Sequence, residues 1–141
     1  MPDRTFTIVR ARSADYDLAR QAVVEVHARE ISDAADLLAF LSDPACYLLL
    51  AVDDGRVAGS LRGYALRRPD RSEPQFLLYA IDVRAECRNR GIGTALVEHF
   101  ITEARTPVRW RYGCRRVSPT KPRWPRMRIA GFVGRLPMMS C

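Results

Sequence analysis

The chain has 141 residues, 48% of them apolar, a size and composition typical of one globular domain. No apolar run approaches the roughly 18 residues of a membrane span, and the N-terminus lacks the apolar segment of a secretory signal, so we expect a cytoplasmic protein without a membrane partner. The net charge of +7 comes from the last quarter of the chain, because residues 106–141 carry nine basic residues and no acid. Residues 1–105 carry 14 Arg and 16 acids, so we expect no nucleic-acid partner for this larger part.

The N-terminal third predicts one strand followed by two helices. Residues 6–11 favour a strand, and residues 14–29 place apolar side chains at helical spacing, with Ser13 as the N-cap. Ser32 or Asp33 is expected to cap a second, short helix. The apolar side of this second helix is predicted to carry Ala35, Leu38 and Leu41.

The middle of the chain predicts a β-hairpin. Residues 46–52 form a short, continuous apolar run that suits a central strand, and Asp-Asp-Gly at 53–55 is a strong hairpin turn. Residues 57–66 return as the next strand, in which Gly59 and Gly63 let another element approach the backbone closely.

The clearest sequence signals for a strand and for a helix come next. A polar loop over residues 67–74 leads to a strand at Gln75–Val83, and residues 91–105 form an amphipathic helix. The apolar side of this helix carries Ile92, Ala95, Leu96 and Phe100. The order of elements predicts an α/β (α+β) fold, in which a mixed, mostly antiparallel sheet is flanked by helices.

Two glycines, Gly91 and Gly93, stand at the junction between that strand and that helix. Without a Cβ they let a phosphate approach the backbone, where the unpaired N–H groups and the dipole of a helix start favour an anion. Arg88 and Arg90 can add charge-assisted contacts, and Thr94 can donate its hydroxyl. The sequence has neither a P-loop nor the three-glycine dinucleotide fingerprint. A diphosphate site is therefore predicted, and a glycine-rich helix start without a ligand is the alternative.

This junction resembles the acetyl-CoA motif of GNAT acetyltransferases. The resemblance is carried by Ile-Asp-Val at residues 81–83 and by Arg-Asn-Arg-Gly-Ile-Gly-Thr-Ala-Leu at residues 88–96. Residues 71–79 and the hairpin before them are similar to type I aminoglycoside 3-N-acetyltransferases, and this closer resemblance extends over residues 35–103.

The resemblance implies a GNAT-like sheet with acetyl-CoA as the cosubstrate. The pantetheine arm would pair with the end of the strand, for which the implied residues are Ile81, Asp82 and Val83. The pyrophosphate would lie over the helix start, for which the implied residues are Arg88, Asn89, Arg90, Gly91, Ile92, Gly93 and Thr94. The four cysteines include no CxxC pair, so we expect no metal.

The implied reaction moves an acetyl group from acetyl-CoA to an amine of a small molecule, with the 3-N position of an aminoglycoside as the favoured acceptor. A protein amine as the acceptor, and a CoA-binding but catalytically impaired domain, are the alternatives; a homodimer is left open. In such enzymes a neutral amine attacks the thioester carbonyl after a base has removed the ammonium proton.

We predict Asp82 as that base, because it lies in the strand beside the expected thioester. Relatives of this type carry Asp or Glu at the position that matches Ala80, so the chain departs from the family pattern there. A salt-bridged or solvated Asp82 is the alternative. His27 and His99 lie on predicted helices and are expected to be structural.

The composition changes abruptly after Arg105, and we predict residues 1–105 as the acyl-CoA-binding core and residues 106–141 as an atypical basic tail. Family members carry a further strand and a helix here, but the three prolines within residues 119–127 argue against a helix. Four explanations stay open: a tail produced by a reading-frame shift, an RNA-binding tail, a solvated extension, or a strand over residues 107–112.

Overall fold

The structure, a computed structural model, describes residues 5–104, 108–110 and 132–133. Its strands are β1 (Phe6–Arg10), β2 (Cys46–Asp53), β3 (Arg56–Leu66), β4 (Gln75–Val83), β5 (Val108–Trp110) and β6 (Phe132–Val133). They form one sheet in chain order, antiparallel from β1 to β4 and parallel between β4, β5 and β6. The predicted mixed, mostly antiparallel sheet is confirmed, and β5 lies within the residues for which a strand is one of the alternatives. The other expectations for residues 106–141 lie outside the described residues.

In the described part of the chain, three helices flank this sheet. They are α1 (Tyr16–Gln21), which continues as a π-helical turn at Ala22–Val26, α2 (Ala34–Ser42) and α3 (Ile92–Ala104). Short 3-10 turns at Ser13–Asp15 and Ala85–Cys87 precede α1 and α3. Among the residues that the structure describes, no helix is long and apolar enough to cross a membrane.

Alternation along β2 divides the core between the two faces of the sheet. Leu49 lies in one core cluster with α3, whereas its neighbours Leu48 and Leu50 lie in a second cluster with α1 and α2. All the side chains predicted for the apolar side of α3 lie in the first cluster: Ile92, Ala95, Leu96 and Phe100. Because helices cover both faces, β2 is apolar on both sides, as its continuous run of apolar residues predicts.

The start of the first helix differs from its prediction. The Ser13 hydroxyl does not cap the helix, because it hydrogen-bonds the Ser42 hydroxyl of α2 at an Oγ···Oγ distance of 3.0 Å. The Asp15 carboxylate instead accepts a hydrogen bond from the backbone N–H of Arg12 at 2.9 Å. The Ser13 hydroxyl, which the sequence pattern predicts as a cap, is therefore used in a contact between the 3-10 turn and α2.

The second helix confirms its predicted cap but not its predicted face. The Asp33 carboxylate accepts from the N–H of Ala35 at 2.9 Å. Leu37 and Leu41 are buried, whereas Leu38 is 40% exposed and Ala35 is also exposed. The prediction is thus confirmed for Leu41 and wrong for Ala35 and Leu38, because Leu37 and Leu38 both fit a helical period in so short a helix, and only packing against the sheet selects between them.

Gly59 and Gly63 allow α3 to lie close to β3, as predicted. An added Cβ would lie 2.8 Å from Ile92 Cγ2 at Gly59 and 2.5 Å from Phe100 Cζ at Gly63. Both distances are shorter than van der Waals contact, so side chains at these positions would push α3 away from the sheet.

Gly63→Ala is expected to lower the free energy of unfolding by about 3 kcal/mol, because the new methyl group meets both the Phe100 ring and the Leu77 carbonyl oxygen, the latter at 3.0 Å. Urea unfolding measures the loss. Gly55→Ala is the control: Gly55 has a φ of +75° with nothing within 4 Å of an added Cβ, so only backbone strain of about 1 kcal/mol applies. Equal losses for the two variants would contradict the close approach of α3.

Candidate functional site

A corner of backbone joins β4 to α3, and residues 88–94 are called the corner below. The N–H of Arg84 bonds the carbonyl of Ala58 at 2.9 Å, which fixes the chain where β4 ends. Asn89 and Gly91 have φ values of 64° and 79°, so the backbone is left-handed on both sides of Arg90. Glycine adopts this conformation without strain and asparagine is one of the few other residues that tolerate it, which explains both residue types here.

The start of α3 presents backbone donors. The N–H of Ala95 bonds the carbonyl of Gly91 at 3.0 Å, and the amides of Ile92, Gly93 and Thr94 precede this bond. No hydrogen bond within the described part of the chain uses those three amides. A Cβ added at Gly91 would meet nothing within 4 Å. An open helix start with unpaired N–H groups and the positive end of the helix dipole can bind an anion such as a phosphate.

The two arginines of the corner differ in their contacts. Arg88 is exposed, and its Nε donates only a long hydrogen bond to the Val83 carbonyl at 3.4 Å. The guanidinium of Arg90 contacts Asp53 Oδ2 at 2.9 Å and the Thr5 hydroxyl. Arg88 can therefore reach a ligand without losing an ion pair, whereas Arg90 already holds the hairpin turn against the corner.

Several of the residues predicted to bind the cosubstrate can offer only backbone groups. The Ile92 side chain is buried, and the side chains of Ile81 and Val83 pack against the same core cluster. Asn89 is exposed and Thr94 is half-buried. This agrees with a site in which main-chain amides and carbonyls, rather than side chains, make most contacts.

The neighbours of β4 differ in extent. β5 pairs with Phe76, Leu77 and Leu78, whereas β3 pairs along β4 as far as Val83. A bulge interrupts the β3–β4 ladder at the same level, because Arg62 pairs with Ala80 whereas Gly63 pairs with Leu78. Within the described residues, the outer edge of residues 80–83 has no ladder partner, so its backbone could pair with a bound molecule.

Asp82, the predicted base, lies on the face of the sheet opposite α3. Its carboxylate is 52% exposed, and Oδ2 lies 2.8 Å from Nδ1 of His27, whose side chain is only 5% exposed. Ala80 lies two residues earlier on β4 and so points to the same face as Asp82. The alternative of a paired Asp82 is thus observed, but its partner is a histidine that the sequence places in a structural role. No local pattern could have found this pair, because its members are 55 residues apart.

The backbone that carries His27 is unusual. The first helical segment ends at Val26 in the π-helical turn, not at Arg29 as predicted, and the N–H of His27 bonds the carbonyl of Ala22 at 2.9 Å. Ala28 then has a φ of 52°, a left-handed conformation that costs a non-glycine residue about 1 kcal/mol. Single π turns and strained residues are found preferentially near functional sites.

Buried polar atoms cluster on this face of β3 and β4. Ser60 pairs with Asp82 across the sheet, and Arg62 stacks its guanidinium over the Tyr79 ring with Cζ 4.5 Å from the ring centroid. Ser60 Oγ, Arg62 Nε and His27 Nε2 are buried without a hydrogen-bond partner among the described residues. Burial raises the pKa of Tyr64, against a smaller opposing effect of the Arg62 guanidinium, so its hydroxyl stays protonated at neutral pH. Orphaned polar atoms on one face indicate a place for a polar ligand or water.

Two further titratable residues, His99 on α3 and Glu86 in the turn before it, have structural contacts. His99 Nε2 lies 3.1 Å from Glu103 Oε1, one turn further along α3, in agreement with its expected structural role. Glu86 is exposed and pairs with Arg56 at 3.5 Å. In the described residues, no group of three or more His, Cys, Asp or Glu side chains could hold a metal ion.

Comparison with known proteins gives the chain a family. The model of the family described as "Acetyltransferase (GNAT) family" matches residues 12–120. No curated protein matches the chain significantly.

Solved structures of similar fold include acetyltransferases with different acceptors. An aminoglycoside acetyltransferase from an uncultured soil metagenomic sample, solved with trehalose and also with sisomicin, is 22% identical with a TM-score of 0.66, over 74% of this chain and 73% of that one. A ribosomal-protein-alanine N-acetyltransferase from Brucella melitensis biovar Abortus is 23% identical with a TM-score of 0.58, over 71% of this chain and 72% of that one. At these identities the likeness establishes the fold and leaves the acceptor open.

Proposed function

The chain belongs to the GNAT acetyltransferase family, and on that premise we propose that it transfers an acetyl group from acetyl-CoA to an amine of a small molecule, with an aminoglycoside as the favoured acceptor. One observation carries the proposal: an open helix start lies shortly after a strand whose outer edge at residues 80–83 has no ladder partner in the described part of the chain. A single ligand that joins a diphosphate to an amide-containing arm fits both features.

The corner and the edge of β4 would hold different parts of acetyl-CoA. The amides of Ile92, Gly93 and Thr94 would donate to the diphosphate, and Arg88 would add a charge-assisted contact. The backbone of residues 81–83 would pair with the amides of the pantetheine arm. Acetyl-CoA supplies the acetyl group as an activated thioester. We accordingly propose residues 1–105 as the acyl-CoA-binding core and residues 106–141 as its atypical basic tail.

Asp82 would act as the base. Its exposed carboxylate lies on the strand that would hold the pantetheine arm, and on the face that carries the buried polar atoms. An amine is a nucleophile only when neutral, so the ammonium form must first lose a proton to a group such as the Asp82 carboxylate. Strand β4 would thus bring the base and the acetyl donor together, which supplies much of the rate through proximity.

The charge of the body supports a cationic acceptor. Residues 5–104 contain twelve arginines and fifteen acids, a net charge of −3, and two of those arginines lie in the corner. A polycationic aminoglycoside would be attracted to the remaining surface. A structural neighbour is an aminoglycoside acetyltransferase solved with sisomicin, which supports the same acceptor class.

Acetyl-CoA is expected to raise the melting temperature of the protein, since a ligand at about 100 times its Kd adds about 2.7 kcal/mol to the stability of the folded state. Gly91→Leu should abolish this shift, because a side chain would enter the open space at the helix start. Gly55→Leu is the matched control, since Gly55 has a φ of +75° against +79° at Gly91 and equally open surroundings. It should lose a similar amount of stability and keep the shift. Loss of the shift in both variants would count against the corner as the binding site.

Arg88→Ala is expected to raise the Kd for acetyl-CoA about tenfold, because Arg88 is the corner arginine without an ion pair. Arg90→Ala should raise the Kd less and lower the melting temperature more, because it breaks the contacts with Asp53 and Thr5. Isothermal titration and thermal unfolding measure the two effects. A larger loss of affinity for Arg90→Ala than for Arg88→Ala would contradict the assignment.

The acceptor is identified by release of CoA thiol in the presence of sisomicin, related aminoglycosides, or a peptide with an N-terminal alanine. We expect release with aminoglycosides, and a 10²- to 10⁴-fold lower kcat for Asp82→Asn, which is about the usual contribution of a general base. Release with the peptide alone would favour a protein N-acetyltransferase. Binding of acetyl-CoA without release by any acceptor would favour a catalytically impaired domain.

A further inference from the structure

We propose that His27 is a positioning residue for this reaction, which holds the Asp82 carboxylate through an Nδ1–H hydrogen bond so that its second oxygen faces the acceptor amine. The inference rests on the proposed function, in which Asp82 removes the ammonium proton. It gives a role to a buried histidine that sequence pattern assigns to structure alone.

The two members of the pair are unequal in exposure. His27 is 5% exposed and cannot meet a substrate directly, whereas Asp82 is 52% exposed. Oδ2 of Asp82 is held by His27 Nδ1 at 2.8 Å, and no other hydrogen bond in the described part of the chain reaches this carboxylate. Oδ1 is therefore the oxygen that can accept a proton from an amine, while Oδ2 fixes the plane of the carboxylate.

The surroundings of the imidazole select its tautomer. Nε2 is buried and has no hydrogen-bond partner among the described residues. With the proton on Nε2, the lone pair of Nδ1 would face the Asp82 carboxylate, which is repulsive. A proton on Nδ1 instead donates to Oδ2 at 2.8 Å. The tautomer with Nδ1–H is thus the one that fits this contact.

The segment from Glu25 to His27 is held at the end of β4 by two contacts, the His27–Asp82 hydrogen bond and an ion pair with Arg84 just beyond the strand. Two residues before His27, Glu25 Oε2 lies 3.6 Å from Nη2 of Arg84, and Arg84 lies two residues after Asp82. Arg84 also donates from Nε to the Val57 carbonyl on β3 at 2.6 Å. The turn after His27 closes with a hydrogen bond from Arg29 N–H to the Val23 carbonyl at 3.0 Å.

The proton balance of the step is simple. The ammonium nitrogen of the acceptor gives one proton to Asp82 Oδ1 and keeps the electron pair of that N–H bond. This pair forms the bond to the thioester carbonyl carbon, the C–S bond breaks, and CoA leaves as the thiolate, which takes up the second proton that the new amide nitrogen loses. His27 keeps its own proton on Nδ1 throughout. Its contribution is the orientation of the carboxylate, in the way that outer hydrogen-bond partners orient the groups that touch a substrate.

Three substitutions of His27 separate the effect of the position of its N–H donor from the effect of the packing of its ring. Asn can place an amide N–H close to the position of Nδ1, Gln places one near Nε2, and Phe keeps the ring without a donor. We expect His27→Phe and His27→Gln to lower kcat about 10- to 100-fold, with His27→Asn recovering most of the rate. The KM for the amine and the Kd for acetyl-CoA should change by less than about twofold, since His27 touches neither in this role.

The control is the other histidine of the chain. His99→Asn breaks a comparable histidine–carboxylate contact on α3 and should leave kcat unchanged. Because the sequence contains only two histidines, the same variant assigns the ring signals of His27 in nitrogen-15 NMR. The expected spectrum is that of the tautomer with a protonated Nδ1 and a bare Nε2.

Three results would overturn the inference: a proton on Nε2, equal rates for His27→Asn and His27→Gln, or rates that follow only the melting temperatures of the variants. The NMR measurement needs no substrate. If the wild-type protein acetylates no amine, the proposed function is wrong. The tautomer of His27 would still show whether His27 holds the Asp82 carboxylate as described.

Discussion

The unequal pairing of β4 is the constraint on which the rest of the site depends. On one side β3 pairs with it as far as Val83, and on the other, among the residues that the structure describes, β5 pairs with Phe76, Leu77 and Leu78. A strand that is fully paired on both edges could offer no backbone to a ligand, and a strand that is paired on neither would not be held in place. The bulge between the Leu78 and Ala80 pairs lies next to Leu78, the last residue of β4 that pairs with the described part of β5.

Because side chains alternate along β4, its apolar contacts and its proposed catalytic group lie on opposite faces of the sheet. Ile81 and Val83 pack toward α3, where apolar contact with the helix sets the position of the corner. Asp82 points to the opposite face, where the π-helical turn covers β3 and brings His27 to the carboxylate. A shift of β4 by one residue would exchange these faces, placing a carboxylate under α3 and an apolar side chain against the imidazole. The buried clusters on both faces therefore fix the register on which the proposed chemistry depends.

Local signals predict most of the fold and only part of the site. The strand at Gln75–Val83, the turn at Gly55 and the start of α3 follow from alternation, turn chemistry and glycine placement, all of which act over a few residues. The choice of Leu37 over Leu38, and the loss of Ser13 as a cap, depend on contacts between helices. The contact between His27 and Asp82 could not be predicted from local signals, for a further reason. The partner of His27 is distant in sequence, and the π-helical turn that aims it has no sequence signature that a helical period would reveal.

The two proposed substrates carry opposite charges, and the residues proposed to receive them differ in charge. The corner combines a helix start with Arg88, whereas the rest of residues 5–104 is acidic. Arg90 contributes less net positive charge to the corner than its position suggests, because Asp53 already balances it. In the proposed arrangement an anionic diphosphate and a cationic amine would not compete for the same groups, and they would meet where the strand brings the acetyl donor beside Asp82. The single carboxylate at that meeting point must therefore be held accurately, which is the reason to expect a buried and rigid partner behind it.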